Sequence, residues 1–220
     1  MIIVIDGPAG SGKSSTAKAI ANRLGIKFLD SGALYRAITY LWLESDKPDK
    51  AEFFENLSNI QLEADFRDQT FYVQVGGKNL TEKIRTKYVA DRVSEIASYK
   101  TARSFVNGFM RDLVKKDTYI ADGRDLGTAV FPDADLKFYM DASLKERAKR
   151  RFLEMKNSDY SVTLEEVMEN LRSRDEKDQN RENDPLKKAG DAIIIDTTGK
   201  SFEEQVHEMI SIIEENLNLN

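Results

Sequence analysis

Residues 7–14 combine glycine, lysine and serine at a spacing that binds the phosphates of a nucleotide. The segment reads GPAGSGKS and fits the pattern G-x-x-x-x-G-K-[ST] throughout. Its glycines allow successive backbone N–H groups to point at phosphate oxygens, the helix that follows directs its positive end at them, and Lys13 adds a full charge. Ser14 is placed to hold Mg²⁺. We therefore predict a nucleoside triphosphate site formed by Gly7, Pro8, Ala9, Gly10, Ser11, Gly12, Lys13, Ser14 and Ser15.

Polar residues also follow two other predicted strands, where a second anion can bind. Ser31 is expected to cap a helix whose free N–H groups favour an anion, with Arg36 one turn further along. A plain capped helix with a surface arginine is the alternative. Residues 122–125 place two acids and an arginine at the end of another strand, and Asp122 stands where a phosphate-binding loop protein has its Mg²⁺-supporting acid. Ser14 and Asp122 are thus the predicted metal-binding pair.

The surrounding pattern alternates apolar strands with capped helices. A β-branched run at residues 2–5 is typical of a strand that is buried on both faces, and Gly25 ends the helical spacing that follows. Capping boxes begin later helices at Ser143, Thr163 and Ser201. The alternation predicts a doubly wound α/β core of about five parallel strands, near residues 2–5, 26–29, 119–121, 136–140 and 192–195.

One stretch departs from this alternation. Between residues 60 and 84, apolar side chains recur at every second position on either side of a turn at residues 67–69. A helical pattern resumes after it. We therefore predict a small antiparallel β lobe that is inserted into the core and has helices on both sides.

Composition limits the chemistry. A chain of 220 residues suits one domain of ordinary size, and a net charge of −5 gives no general attraction to nucleic acid or to acidic membranes. The sequence has no cysteine and one histidine, His207, which we expect to lie on the surface. Carboxylates, arginine, lysine or a metal must therefore carry any catalysis. The absence of an apolar run of about 18 residues and of a signal sequence predicts a cytoplasmic protein with no membrane segment.

The rest of the sequence narrows the kind of nucleotide-binding protein. A regulatory GTPase would carry Asn-Lys-x-Asp, which the chain lacks, and the D-x-x-G match at residues 196–199 is interpreted as an ordinary turn between a strand and a helix. A small-molecule kinase fits the length. Two alternatives stay open: a kinase of another small acceptor such as uridylate, adenylate or a hydroxylated metabolite, and a non-catalytic switch or interaction module that only binds a nucleotide.

At this point the chain resembles the bacterial cytidylate kinases, which are nucleoside monophosphate kinases, nearly from end to end. The segments DSGALYR and ADGRDLGT are more specific than the phosphate-binding loop. The resemblance is carried by IDGPAGSGKS (5–14), LDSGALYR (29–36), IRT (84–86), IADGRDLGT (120–128), VFPDA (130–134), RD (174–175), NR (180–181) and PL (185–186).

The resemblance implies a single P-loop kinase unit over residues 1–220. Its parts are a core at residues 1–35, 100–150 and 185–220, a nucleoside monophosphate lobe with the β insert at 36–99, and a helical lid region at 152–184. The mobile part of the lid is expected around residues 152–166. The resemblance also implies ATP and Mg²⁺ as cofactors and CMP or dCMP as the acceptor. We expect a monomer without nucleic-acid or membrane partners.

Roles for individual residues follow from the same resemblance. Ser31, Arg36 and Arg124 match residues that hold the acceptor phosphate. Ser94, Arg103 and Asp125 match residues that face the pyrimidine. Arg174, Asp178 and Arg181 match residues that close over ribose and phosphates, and Lys13, Arg124, Arg174 and Arg181 are the expected catalytic residues. The chain departs from the family pattern at Asn183 and Asp184, ahead of Pro185.

The chemistry agrees with these roles. Cytosine presents an amino donor that a carboxylate can accept, whereas uracil presents an oxygen there, so Asp125 is expected to favour cytosine over uracil. The acceptor phosphate is already a nucleophile at neutral pH, and no general base is required. On the predicted helix after Ser143, Arg147, Arg150 and Arg151 are expected either to reach the transferring phosphoryl group or to lie on the surface.

Overall fold

The central sheet has five parallel strands in the order β2-β6-β1-β7-β8. The structure is a computed structural model that describes residues 1–45, 49–156 and 162–217. Ile3, Val4 and Ile5 of the middle strand are fully buried, because helices cover both faces of the sheet. The predicted doubly wound core is confirmed. Its strands are β1 (Ile2–Asp6), β2 (Lys27–Asp30), β6 (Tyr119–Asp122), β7 (Leu136–Asp141) and β8 (Ile193–Asp196).

Every strand of this sheet ends on an aspartate. Parallel register places these residues at one edge, and the Cα atoms of Asp30 and Asp122 are direct partners across β2 and β6. The carboxyl edge of the sheet is therefore lined with acids beside the loops that lead into the helices, where α/β proteins bind ligands. The five aspartates are Asp6, Asp30, Asp122, Asp141 and Asp196.

Several helices begin where a short polar side chain takes up a free backbone N–H group. Thr163 and Ser201 each form a complete capping box, as the sequence predicted. At the second helix the expectation was wrong by one residue: Asp30 is the cap and accepts from the N–H of Ala33, while Ser31 is the first helical residue. The helices are α1 (Lys13–Leu24), α2 (Ser31–Leu43), α3 (Lys50–Glu55), α4 (Lys87–Ala90), α5 (Val93–Ile96), α6 (Lys100–Leu113), α7 (Leu144–Lys156), α8 (Leu164–Asn180) and α9 (Phe202–Asn216).

The inserted β lobe is the antiparallel sheet that the sequence predicted. It consists of β3 (Leu62–Arg67), β4 (Thr70–Val75) and β5 (Lys78–Asn79). Phe28 of β2 lies against this lobe, and its ring meets those of Phe66 and Phe71 edge-on at centroid distances of 5.9 and 6.3 Å. Aromatic contacts thus pack the lobe against the edge of the central sheet.

A second, smaller apolar cluster lies apart from the main core. It joins Ala9 of the phosphate-binding loop to Ala148 of α7 and to Val167 and Leu171 of α8. These helices therefore pack directly on the loop. Within the described part of the chain, no helix combines the length and apolar character needed to cross a bilayer.

Candidate active site

The loop between β1 and α1 can be built only with glycine at its first position. Gly7 has φ +148°, and a Cβ there would lie 2.0 Å from the carbonyl oxygen of Met140. Gly12 caps α1 in the left-handed conformation, with φ +94°. Because glycine alone tolerates these positions, the chain can curl tightly and turn its N–H groups inward.

Lys13 is buried beneath this loop. Its ammonium donates to the carbonyl oxygen of Pro8 at 2.6 Å and to the Oγ of Ser11 at 3.2 Å. Burial lowers the pKa of Lys13 well below its ordinary value, and the Arg124 guanidinium lowers it further. An anion placed beside this amine would offset both effects.

Ser14 and Asp122 meet at the start of α1. The hydroxyl of Ser14 donates to Oδ2 of Asp122 at 2.5 Å. Oδ1 of Asp122 is buried and accepts no hydrogen bond from a described residue. Burial raises the pKa of Asp122 to about 7, and the neighbouring Asp30 carboxylate adds to the shift.

A hard divalent cation would satisfy the free Oδ1 of Asp122. Carboxylate and hydroxyl oxygens are the ligands that Mg²⁺ takes in proteins, where it keeps several waters and substrate phosphate oxygens as well. Among the residues that the structure describes, no cluster of three or more His, Cys, Asp or Glu side chains could hold a metal by itself. The predicted pair of Ser14 and Asp122 therefore fits a metal that arrives with a nucleotide.

Ser31 lies next to this pair. Its Oγ donates to the backbone carbonyl of Asp122 at 2.6 Å, which joins the start of α2 to the end of β6. The Ser31 hydroxyl oxygen retains lone pairs but no free proton in this arrangement. The start of α2 and the end of the strand adjacent to β2 are thereby held together.

Four arginines converge beside the same edge of the sheet. We call Arg36, Arg85, Arg124 and Arg174 the arginine cluster. Burial lowers the pKa of Arg36, and nearby Arg85 and Arg124 lower it further. Burial likewise lowers the pKa of Arg174 to about 10, with contributions from Arg124 and Arg36. Arg36 thus lies within electrostatic range of Arg85 and Arg124, and Arg174 lies within range of Arg124 and Arg36.

Two members of the arginine cluster form no ion pair with a described carboxylate, and the other two do. Among the described residues, neither Arg36 nor Arg174 forms an ion pair, and the buried Nε of Arg174 donates no hydrogen bond. Arg124 pairs with Asp178 at 3.0 Å, and Arg85 lies 3.7 Å from Asp30. Buried guanidinium groups without partners favour an anionic ligand.

Sequence reasoning gave Arg85 no role. The only signal for it was its place in the segment IRT (84–86), which the resemblance contained. Its position in the cluster depends on a short 3₁₀ turn, Lys83–Arg85, that the sequence pattern does not predict.

Asp125 is buried and tied to two arginines. Its Oδ1 accepts from Arg181 at 2.5 Å, and its Oδ2 accepts from Arg103. Burial raises the pKa of Asp125, and the two guanidinium groups oppose that rise. Arg103 also bonds Asp184 at 2.7 Å, so the segment that departs from the family pattern helps to fix this group. The structure thus brings together Arg103, Asp125 and Arg181 as one buried network.

Asp6 holds the segment that carries Asp125. Its two carboxylate oxygens accept from the backbone N–H groups of Leu126 and Gly127 at 2.9 and 2.7 Å. Burial raises the pKa of Asp6 to about 6. Sequence analysis did not assign a role to Asp6, because its partners lie about 120 residues away in the chain.

An open cleft separates α4 and α5 from α7 and α8. Its volume is about 1090 Å³, and its lining includes Ser94, Arg174 and Arg181 from the predicted site together with Arg85 and Arg151. The other predicted site residues lie outside this lining. The expected mobile segment at 152–166 is only partly described, because residues 157–161 lie outside the described chain.

Two of the three arginines on α7 are held away from the cleft. Arg147 donates to the carbonyl oxygen of Ala9 at 2.8 Å, and Arg150 donates to the carbonyl oxygen of Thr197 at 2.6 Å. Arg151 lines the cleft and pairs with Glu154 at 2.9 Å. In this conformation Arg151 is thus the α7 arginine that faces the space for a substrate.

Two further expectations are confirmed. Residues 196–199 form the turn from β8 to α9, where the carboxylate of Asp196 accepts from the N–H of Thr198 at 2.9 Å. His207 is exposed on α9. Neither belongs to the candidate site.

A loop with the phosphate-binding sequence and four arginines, two of which form no ion pair among the described residues, lie at one edge of a parallel sheet, an arrangement typical of P-loop kinases. The cytidylate kinase family matches residues 3–215. The chain belongs to that family.

Relatives of known name agree with this assignment. A cytidylate kinase of Clostridioides difficile is 45% identical over 97% of this chain and 98% of its own length. One of Bacillus cereus is 42% identical over 96% of this chain and 95% of its own.

Solved structures support the fold alone. A shikimate kinase from Acinetobacter baumannii aligns with a TM-score of 0.51 at 15% identity, covering 98% of this chain and 93% of that one. An uncharacterized protein from Eubacterium ventriosum aligns with a TM-score of 0.56 at 13% identity, over 97% of this chain and 98% of that one.

Proposed function

We propose that this protein transfers the γ-phosphoryl group of ATP to the 5′-phosphate of CMP or dCMP, with the donor in the loop at residues 7–14 and the acceptor phosphate in the arginine cluster. Membership of the cytidylate kinase family supports this reaction, and the chain is a (d)CMP kinase. The observation that supports this placement is the buried Nε of Arg174, which donates no hydrogen bond in a side chain that forms no ion pair with a described residue.

The donor phosphates lie along the N–H groups of residues 7–15, and Lys13 exchanges its bonds to Pro8 and Ser11 for phosphate oxygens. Ser14 and Asp122 hold Mg²⁺, which supplies charge neutralisation at the phosphates when it is bound. The free Oδ1 of Asp122 supports this assignment.

The acceptor phosphate binds at Ser31, Arg36 and Arg124, and Arg174 approaches from α8. At neutral pH this phosphate is largely a dianion and attacks without a general base. Catalysis is then the alignment of two polyanions and the neutralisation of their repulsion, which guanidinium groups and Lys13 supply. Lys13, Arg124, Arg174 and Arg181 are the catalytic residues of this proposal.

The base lies against Asp125, Arg103 and Ser94, while Asp178 and Arg181 reach the ribose. The network of Asp125 with Arg103 and Arg181 supports this arrangement, since a carboxylate fixed between two guanidinium groups keeps a defined direction. An uncompensated oxygen–carboxylate contact would cost a uracil base about 1–3 kcal/mol.

The cleft between α4–α5 and α7–α8 is the space over which the lid closes. Closure excludes water, which would otherwise accept the phosphoryl group. We also propose that the protein works as a cytoplasmic monomer, and light scattering at assay concentration tests the oligomeric state.

The decisive experiment measures initial velocity with ATP and Mg²⁺ for CMP, dCMP, UMP and AMP, together with ADP release when no acceptor is present. We expect the two cytidine nucleotides to be used best and ADP release to depend on them. Equal ADP release with and without CMP would contradict the proposal, and a preference for UMP or AMP would favour a kinase of that acceptor.

A further inference from the structure

A single residue of the phosphate-binding loop, Ala9, is held at both its N–H and its carbonyl oxygen by an ion pair from outside the loop. The N–H of Ala9 donates to Oδ1 of Asp175 at 2.9 Å, and its carbonyl oxygen accepts from Nη1 of Arg147 at 2.8 Å. The same Nη1 contacts Oδ2 of Asp175 at 2.5 Å. We call Asp175 and Arg147, with the peptide groups of Ala9, the Ala9 clamp.

The clamp is buried and joins two helices to the loop. The side chains of Arg147 and Asp175 are 8% and 11% exposed, and Arg147 also donates from Nε to the carbonyl oxygen of Ala142. Ala9 also belongs to the small apolar cluster that contains Leu171 of α8. The shape of the phosphate-binding loop therefore depends on the positions of α7 and α8.

Helix α8 reaches both halves of the proposed site. Asp175 contacts the loop, its neighbour Arg174 belongs to the arginine cluster, and Asp178, almost one turn further, pairs with Arg124. Close packing transmits the displacement of one part of a helix to the rest of it. A shift of α8 would thus move contacts to the donor loop and to the acceptor site together.

We infer that Asp175 is a positioning residue that couples the two sites, so that a donor nucleotide in the loop strengthens binding of the acceptor among the arginines. This inference rests on the proposed function for the role of the arginine cluster. The competing explanation is a buried ion pair that contributes to folding alone.

The test measures the dissociation constant of CMP by calorimetry with and without saturating ADP and Mg²⁺, a combination that cannot react. In the unaltered protein we expect ADP to tighten CMP binding by about fivefold or more, the usual lower range of coupling between sites. Asp175→Asn keeps one acceptor for the Ala9 N–H but loses the charge opposite Arg147. We expect the ratio of the two constants to fall close to one.

Val206→Ala is the matched control for stability. Val206 is fully buried on α9, outside the cleft and the clamp, so the variant is expected to unfold at a lower temperature while keeping the coupling ratio. Asp175→Glu restores a carboxylate and is expected to recover part of the coupling. An unchanged coupling ratio in Val206→Ala and a partly recovered ratio in Asp175→Glu would together show that Asp175 positions the two sites and does not act through stability alone.

A second variant decides the question if Asp175→Asn does not fold. Arg147→Lys keeps a cation for Asp175 and can still reach the Ala9 carbonyl oxygen, but it loses the Nε bond to Ala142. A reduced coupling ratio in folded Arg147→Lys supports the inference.

Two results overturn it: a ratio near one in the unaltered protein, and an unchanged ratio in whichever of the two variants folds. If the unaltered protein instead fails to phosphorylate CMP, the proposed function fails, and the two failures remain separate.

Discussion

The hydroxyl of Ser14 donates a 2.5 Å hydrogen bond to Oδ2 of Asp122, which joins the first turn of α1 to the end of β6. The other carboxylate oxygen of Asp122 has no donor among the described residues. Ionising a buried carboxylate costs free energy when one of its oxygens accepts no hydrogen bond. The stability of the folded protein is therefore expected to depend on pH.

Without Mg²⁺, the contribution of Asp122 to the free energy of unfolding is expected to decrease as the pH rises from about 4 to about 7. The pKa of Asp122 is raised from 3.8 to about 7, so in this window the folded protein binds more protons at this site than the unfolded chain does. Asp122→Asn cannot ionise and should reduce that loss, by an amount on the order of 1 kcal/mol. Urea unfolding at pH 5 and pH 7.5 measures it. Asp112→Asn, at an exposed carboxylate on α6, is the control; equal pH slopes in both variants would contradict the expectation.

Lys13→Ala is expected to abolish nearly all turnover while leaving CMP binding mostly intact. The Lys13 ammonium lies under the loop at residues 7–14, where its charge is expected to act on the transferred phosphoryl group. Coupled ADP-release assays measure turnover, and calorimetry measures CMP binding. Lys18→Ala removes an exposed lysine from the same helix and should leave both unchanged. Substantial residual turnover in Lys13→Ala would exclude the assigned role.

Asp125→Asn is expected to narrow the preference for CMP over UMP by about tenfold in kcat/KM, because an amide can turn either a donor or an acceptor toward the base. The measurement is the ratio of the two kcat/KM values. Asp133→Asn alters an exposed aspartate a few residues further along the chain and should not change the ratio. If the ratio stays constant in Asp125→Asn, another residue discriminates between the bases.

Asp6→Asn is expected to lower the free energy of unfolding by about 1–3 kcal/mol and to raise the KM for CMP. The amide can accept only one of the two N–H groups that Asp6 accepts, and it sets its own NH₂ against the other. Asp135→Asn is the matched control, since Asp135 accepts the N–H of Ile2 at the opposite end of β1 in an exposed position. A KM for CMP equal to that of the control would show that Asp6 does not position Asp125.

Gly7→Ala is expected to cost about 3 kcal/mol or more in the free energy of unfolding, because the new Cβ would overlap the Met140 carbonyl oxygen at a φ that only glycine adopts easily. Gly25→Ala separates the two causes. Gly25 has φ +66° with no atom within 4 Å of its would-be Cβ, so its substitution should cost about 1 kcal/mol from backbone strain alone. Urea unfolding measures the free energy of unfolding of both variants. Similar losses in the two would contradict an added cost from the overlap of the Cβ at residue 7 with the Met140 carbonyl oxygen.

The sequence was sufficient for features whose signal is local. Strands, capping boxes and the phosphate-binding loop depend on neighbours within a few residues, and Thr163 and Ser201 cap their helices as predicted. The cap of α2 was misplaced by one residue because Asp30 and Ser31 are both good caps and only the fold decides between them.

Other parts of the site could not be predicted from the pattern. Asp175 and Ala9 are 166 residues apart in the chain, and Asp6 meets Leu126 across 120 residues. Nothing in the spacing of these residues indicates that they will touch. The roles of individual site residues remain predictions that the variants above test.

The turn between β4 and β5 offers a place to label the enzyme. Gly76 and Gly77 are exposed there, and no atom lies within 4 Å of the position a Cβ would take on either. The lobe that carries them rests on Phe28 at the sheet edge. A fluorescent tag or an affinity peptide inserted into this turn would lie on the outside of the molecule and is expected to leave the turnover rate unchanged.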